Sequence, residues 1–263
     1  MEQFRKGFVP PAEPGRIVAG IVPHAGWFFS GATAAKVFLS IHARQKPKTF
    51  ILFGAIHVPG VRKNSVYPEG EWATPFGPVK VDADAARLFL ERCPKLLAAE
   101  PGAHAFEHSI EVQTPMIKRL FPDAMILPIA VPPGNDAVGL GTAVGDIVLA
   151  EKMDAVVVGS TDLTHYGDNY GFSPAGYGKD AYDWMLGNDG RIIELALKLD
   201  APGVLREAAA NQNACGPGAM AAAVSAAKAL GSRGGILLEH TTSYDIYPQG
   251  GFDMAVGYAG IIY

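Results

Sequence analysis

The stretch AVVVGSTDLTHYG, residues 155–167, opens as an unbroken apolar run and closes in a polar turn that carries a histidine, His165. An apolar run without alternation describes a strand covered on both faces, as in a sheet sandwiched between helices. Two other stretches have the same grammar. RIVAGIV near residue 18 runs into PHAG with His24, and TFILFG, residues 49–54, runs into AIHVPG with His57. Further apolar runs are AMILPIAV around Ile126, GILLEH near Leu237 and MAVGYAGIIY at residues 254–263. Helical periodicity fills the spaces between them, at 30–43, 83–92, 109–121, 137–151, 180–186, 192–199 and 218–230. Strand and helix in turn predict one α/β domain over residues 1–263, with a central sheet flanked by helices. SVYPEG and WATPFGPVKVD read as short strands and turns, so the sheet is expected to be mixed and mostly parallel.

Bulk composition narrows the function. Hydrophobic residues make up 49% of the 263 and charged residues 18%, enough apolar surface to offset chain entropy in a compact core. A net charge of -4 with no basic run lacks the footprint of nucleic-acid binding. No stretch reaches the length of a membrane span and the first residues lack an apolar leader core, so a cytoplasmic protein without membrane contact is expected. Two cysteines, Cys93 and Cys215, sit in unlike settings, which argues against a disulfide framework. Walker and dinucleotide glycine patterns, G-x-S-x-G and H-E-x-x-H do not occur in the required contexts.

The histidines carry the chemical signal. In α/β sheets, ligands gather beyond the carboxyl ends of strands. His24, His57 and His165 each leave such an end. One loop histidine alone is more often a surface or hydrogen-bonding residue than a ligand; three at equivalent topological places can converge. HAFEHSIEVQTP adds His104, His108 and Glu111; with Glu107 or His108 just ahead of a helix and Glu111 one turn further on, His108 and Glu111 share a face. Alternatively, Ser109 and the neighbouring acids simply begin that helix. Cys215, in NACGPG, precedes a helix of small residues, whose N-terminal dipole is expected to lower the thiol pKa and favour a thiolate ligand or nucleophile; an inert buried cysteine is the other reading. Cys93 is assigned to packing. Asp162 either orients His165 or a water, or caps the following turn. Trp27, Phe28, Phe29, Tyr166 and Tyr244 are secondary candidates for an apolar wall around a flat ring, and core packing is the commoner fate of such residues.

PHAGWFFSG, GAIHVPG, EHSIEVQTP, STDLTHYG and NACGPGAM resemble, in order, the signature blocks of the Memo family, and VGYAGIIY is similar to its last strand. That family shares its fold with class III extradiol ring-cleavage dioxygenases. The resemblance implies metal ligation by His24, His57 and Cys215. It implies a general base at His165, and it places His108 in the same pocket. The chain departs from many relatives in having only His57 in GAIHVPG and Thr164 ahead of His165. By this resemblance the expected activity is extradiol cleavage of a catechol-type phenol with dioxygen. Fe(II) is the first-choice ion, and copper or zinc are competitors for a site with a sulfur ligand. The alternative it implies is a non-catalytic or redox holder of copper or iron with a peptide or protein partner.

Overall fold

The structure, a computed structural model, describes residues 2–12, 15–134 and 136–263. Eleven strands are described, of which five are short pairs: β1 (Ala19–Val22), β2 (Thr49–Gly54), β3 (Ser65–Val66), β4 (Glu71–Trp72), β5 (Val79–Lys80), β6 (Ala98–Ala99), β7 (Met125–Ala130), β8 (Ala155–Ser160), β9 (His165–Tyr166), β10 (Ile236–Thr242) and β11 (Ala255–Ile262). The helices are α1 (Glu2–Arg5), α2 (Trp27–Arg44), α3 (Ala83–Arg92), α4 (Thr114–Leu120), α5 (Asp136–Ala150), α6 (Lys179–Leu197), α7 (Ala201–Asn211), α8 (Pro217–Ala229) and α9 (Ser243–Ile246).

The main sheet runs β10-β11-β1-β8-β2-β7-β3-β6, with β9 paired to β11 and β4-β5 forming a separate ribbon. Its centre is parallel: β1 with β8, β8 with β2, and β2 with β7. Antiparallel pairs flank it, at β1-β11, β10-β11 and β3-β7, and the edge pair β3-β6 is again parallel. This is the mixed, mostly parallel sheet expected from the sequence.

Unbroken apolar strands follow from the two-sided cover. Along β2, Ile51 and Phe53 face a core shared with α3, α5, α6, α7 and α8, while Phe50 and Leu52 face a second core against α2 and α4. Period-two geometry thus sends neighbouring residues into opposite layers, and both layers are dry. Each such fully buried side chain is worth about 1.5–3 kcal/mol.

Helix α8 is rich in alanine because it must lie close to its neighbours. A Cβ on Gly159 of β8 would stand 2.7 Å from Ala219 O, and one on Gly141 of α5 would stand 2.1 Å from Ala222 O. Gly141→Ala is therefore expected to lower stability by about 2–3 kcal/mol, a fall in Tm of roughly 5–10 °C. Gly187→Ala, at an exposed position in α6 with nothing within 4 Å, should instead raise stability by about 0.5–1 kcal/mol. Thermal unfolding of the pair checks both signs.

Two expected segments differ from what forms. The segments expected at 180–186 and 192–199 join in one helix, α6, which ends at Leu197, because Asn188 and Asp189 between them are buried and hydrogen-bonded rather than helix-breaking. The expected helix at 109–121 begins with a 3-10 turn at Glu111–Gln113 and becomes α-helical only at Thr114. Among the described residues no helix is long and apolar enough to cross a membrane.

Candidate metal centre

Strands β1, β8 and β2 are adjacent and parallel, so their carboxyl ends open on one edge of the sheet. Val22 pairs with Ser160, and Phe53 pairs with Gly159. His24 follows β1 by two residues, His57 follows β2 by three, and Asp162 and His165 follow β8. Cys215 reaches the same edge from the other direction. The close approach at Gly159 seats the start of α8 over β8, and a Cβ on Gly216 would stand 2.9 Å from Ser160 O. The candidate ligand atoms of His24, His57 and Cys215 lie within 4.8 Å of one another, with Cys215 Sγ 3.1 Å from His24 Nε2. Ligands about 2.0–2.3 Å from a tetrahedral ion stand roughly 3.3–3.8 Å apart, so these three side chains are close to a chelating arrangement.

The surrounding hydrogen bonds decide which imidazole nitrogen carries hydrogen. Ser160 Oγ donates to Ser109 O at 2.7 Å and accepts from Gln113 Nε2 at 3.2 Å. Its remaining contact, His24 Nδ1 at 3.1 Å, must then be the donor. That leaves His24 Nε2 as a bare lone pair facing the sulfur. His24 is buried, and burial first, then the neighbouring His57, pushes its pKa down to about 3, so the ring is neutral.

His57 is fixed by a buried carboxylate. Glu107 accepts the His57 backbone N–H at 2.5 Å, His57 Nδ1 at 3.0 Å and the Ser109 N–H at 2.9 Å. Burial pushes the Glu107 pKa up, but these hydrogen bonds outweigh it and hold the group below the usual carboxylate range. The same bond raises the His57 pKa, partly opposed by burial. A carboxylate on Nδ1 leaves Nε2 for a metal and strengthens its donation. The turn that brings Glu107 back to His57 holds the fully exposed Phe106 at φ 62, a left-handed conformation costing about 1–2 kcal/mol.

Asp162 ties the first and third loops together. Its Oδ1 accepts the N–H groups of His24 at 2.7 Å and Ala25 at 3.2 Å. Its own N–H points at Cys215 Sγ, 3.3 Å away, and its carbonyl accepts the Cys215 N–H at 3.2 Å. Through Oδ1 the carboxylate anchors the His24 loop, a role beyond the expected ones of orienting His165 or a water or capping the turn. His165 is oriented by Leu163, whose carbonyl lies 3.1 Å from Nδ1; a carbonyl only accepts, so Nε2 is the free nitrogen. Burial pushes the Asp162 carboxyl above its ordinary range despite the two N–H groups.

The helix dipole was expected to lower the Cys215 pKa, yet burial, with the Asp162 charge second, pushes it well above the thiol range. The thiol is protonated at neutral pH unless a cation displaces the proton.

His108 stacks on His57, ring centroids 4.9 Å apart at 29°, and stands edge-on to His24 at 5.3 Å. Atoms of His57, Glu107 and His108 also fall within 4.8 Å of one another. Glu111, expected on the face of His108, is exposed and lines a neighbouring cavity. Of the expected wall, Trp27 is half-buried and donates Nε1–H to Val112 O, while Phe28 is 68% exposed and contacts Phe29 and Tyr247. Tyr166 and Tyr244 instead pack with Phe252 in a separate aromatic cluster. Cys93 is buried in the main core at the end of α3, as packing predicts.

Glu107, Ser160, Gln113 and Tyr170 were not singled out from the sequence. Tyr170 meets His165 edge-on at 5.0 Å. Glu107 had a local signal, an acid beside His108 in a block already read as functional. Ser160 and Gln113 had none, since their partners lie 136 and 90 residues away.

A family model for Memo-like proteins matches residues 1–262. The chain belongs to the Memo family. Among similar Memo-family proteins, one from Pyrococcus abyssi is 34% identical over 100% of this chain and 92% of its own length. One from Pyrococcus furiosus is 35% identical with the same coverage, and one from Methanosarcina acetivorans is 34% identical over 94% and 85%. An uncharacterized protein of Escherichia coli K12 has the same fold, with a TM-score of 0.60 at 11% identity over 92% of this chain and 99% of that one. The family relates the chain to class III extradiol dioxygenases at the level of fold.

Proposed function

We propose that this Memo-family protein is a metal-dependent oxidoreductase of small catechol-type phenols, with Fe(II) as first-choice ion held by His24, His57 and Cys215, and copper or zinc as competitors. The observation that carries the reading is the donor set: two imidazoles each held through Nδ1, with His24 neutral and Nε2 left to each ring as its ligating nitrogen, and a sulfur beside them. Held by these three side chains, Fe(II) would supply Lewis acidity toward the phenol oxygens and one-electron redox chemistry with dioxygen.

The remaining steps belong to the chain. Ser160 and Glu107 hold the two imidazoles in the ligating tautomer, so no proton has to leave His24 for it to bind. His165, pinned by Leu163 O, offers Nε2 as the base for a phenol hydroxyl proton and can return it later. His108, half exposed beside His57, is placed to donate to oxygen-derived charge on the open side.

The sulfur favours a second reading. A thiolate in place of a carboxylate suits Cu(I) or Zn(II), and half-exposed His57 and His108 leave the centre accessible to a peptide or protein partner. Oxygen uptake by anaerobically iron-loaded protein with a panel of catechols separates the two. The enzyme reading expects saturable uptake that falls by about 100-fold or more in His165→Gln. Full metal occupancy with no uptake for any catechol contradicts it and favours the holding role.

A further inference from the structure

Glu107 also lines a second space, a cavity of about 500 Å³ whose other walls include Tyr67, Trp72, His104, Glu71 and Glu111. Three of these are rings set nearly at right angles to one another. Tyr67 and Trp72 have centroids 5.6 Å apart at 87°, Tyr67 and His104 5.7 Å at 88°, and Trp72 and His104 5.9 Å at 72°. We propose that this cavity is a binding site for an alkylammonium cation, seated among the Tyr67, Trp72 and His104 rings with the Glu71 and Glu111 carboxylates beside it.

The three rings pack edge-to-face around the cavity, and the faces of Trp and Tyr attract a cation through their quadrupoles. Glu71 and Glu111 are exposed and add negative charge, and the lining includes neither lysine nor arginine. Lys80, opposite Glu71 across the β4-β5 ribbon, lines a different cavity. His104 does not oppose a cation, because burial lowers its pKa and keeps it neutral. It also leaves an acceptor over. Nε2 lies 2.9 Å from Ser65 O and donates to it, while Nδ1 is buried with no partner among the described residues. A lining of aromatic rings and carboxylates suits a positive ligand and no anion. The volume lies within the ordinary range for small-molecule sites.

This site does not depend on the metal reading, and its test needs no added metal. Calorimetric titration of the purified full chain compares choline with 3,3-dimethylbutan-1-ol, which has the same shape without the charge. Saturable choline binding at least about tenfold tighter than the neutral isostere is expected. Trp72→Leu and Glu111→Gln should each weaken choline by roughly three- to tenfold in variants whose thermal unfolding matches wild type. Equal affinity for both ligands, no saturable choline binding, or binding unchanged by both substitutions overturns the proposal.

Discussion

Cys215→Ser is expected to weaken binding of Cu(I) or Zn(II) by at least about 100-fold, more than it weakens Fe(II), because it exchanges the one soft anionic donor for a hard neutral one. The pH dependence should change with it. Burial and the Asp162 charge hold the wild-type thiol protonated at neutral pH, so each metal bound must release that proton. Affinity then rises by about tenfold per pH unit while the thiol remains protonated in the free protein. His57, whose pKa is raised by Glu107, adds a proton of its own while that imidazole is still protonated, so the sulfur term is read on the alkaline side of its titration. Competition titration with a chromophoric chelator should show the slope in wild type and a nearly flat line in the serine variant. Equal slopes in both would place Sγ outside the coordination shell.

Asp162→Ala is expected to have the largest structural effect. It removes the acceptor for two backbone N–H groups, His24 at 2.7 Å and Ala25 at 3.2 Å, in the loop that carries a candidate ligand. Unsatisfied buried donors cost about 1–3 kcal/mol each, so a loss of roughly 2–5 kcal/mol follows, together with weaker metal binding as the His24 loop loosens. Asp162→Asn keeps an oxygen acceptor and removes the charge. The folded-state pKa of Asp162 lies above its unfolded value, so the native state holds the proton more tightly and this group's effect is to lower stability as pH rises. Metal-free wild type should therefore lose stability relative to Asp162→Asn between about pH 4 and 6, the interval from the ordinary to the folded-state pKa. Denaturant midpoints of the two proteins across that range give the difference directly. A constant difference would remove the buried charge from the account.

The strands were the most legible part of the chain. TFILFG and AVVVGS gave residues 49–54 and 155–160 without error, because a strand buried on both faces leaves a compact apolar signature that turns interrupt sharply. Helix α6 was read as two pieces, since GNDG at residues 187–190 looks like a turn. Asn188 and Asp189 face inward instead, where Thr164, Asn211 and His240 complete their hydrogen bonds. Tertiary partners of that kind leave no local mark. Helix α7 did leave one that was passed over: Asp200 caps Gly203 N, and Pro202 sits in the first turn.

For the centre, the sequence carried the residues that leave strand ends but not the ones that hold them. His24, His57 and Cys215 stand where a loop follows a strand or precedes a helix, so topology alone brings them together. The carboxylate on His57 and the hydroxyl on His24 come from distant segments chosen by the packed fold. The thiol's acidity departs from expectation for a related reason. A helix start can be seen in the sequence, whereas the burial and the Asp162 charge that outweigh it cannot.

X-ray absorption at the metal edge of the stoichiometrically loaded protein tests the central claim most directly. One sulfur at about 2.3 Å and two imidazole nitrogens at about 2.0–2.1 Å are predicted, with the sulfur absent from the Cys215→Ser spectrum. A shell of oxygen and nitrogen alone, with Cys215 still open to alkylation in the loaded protein, would contradict it.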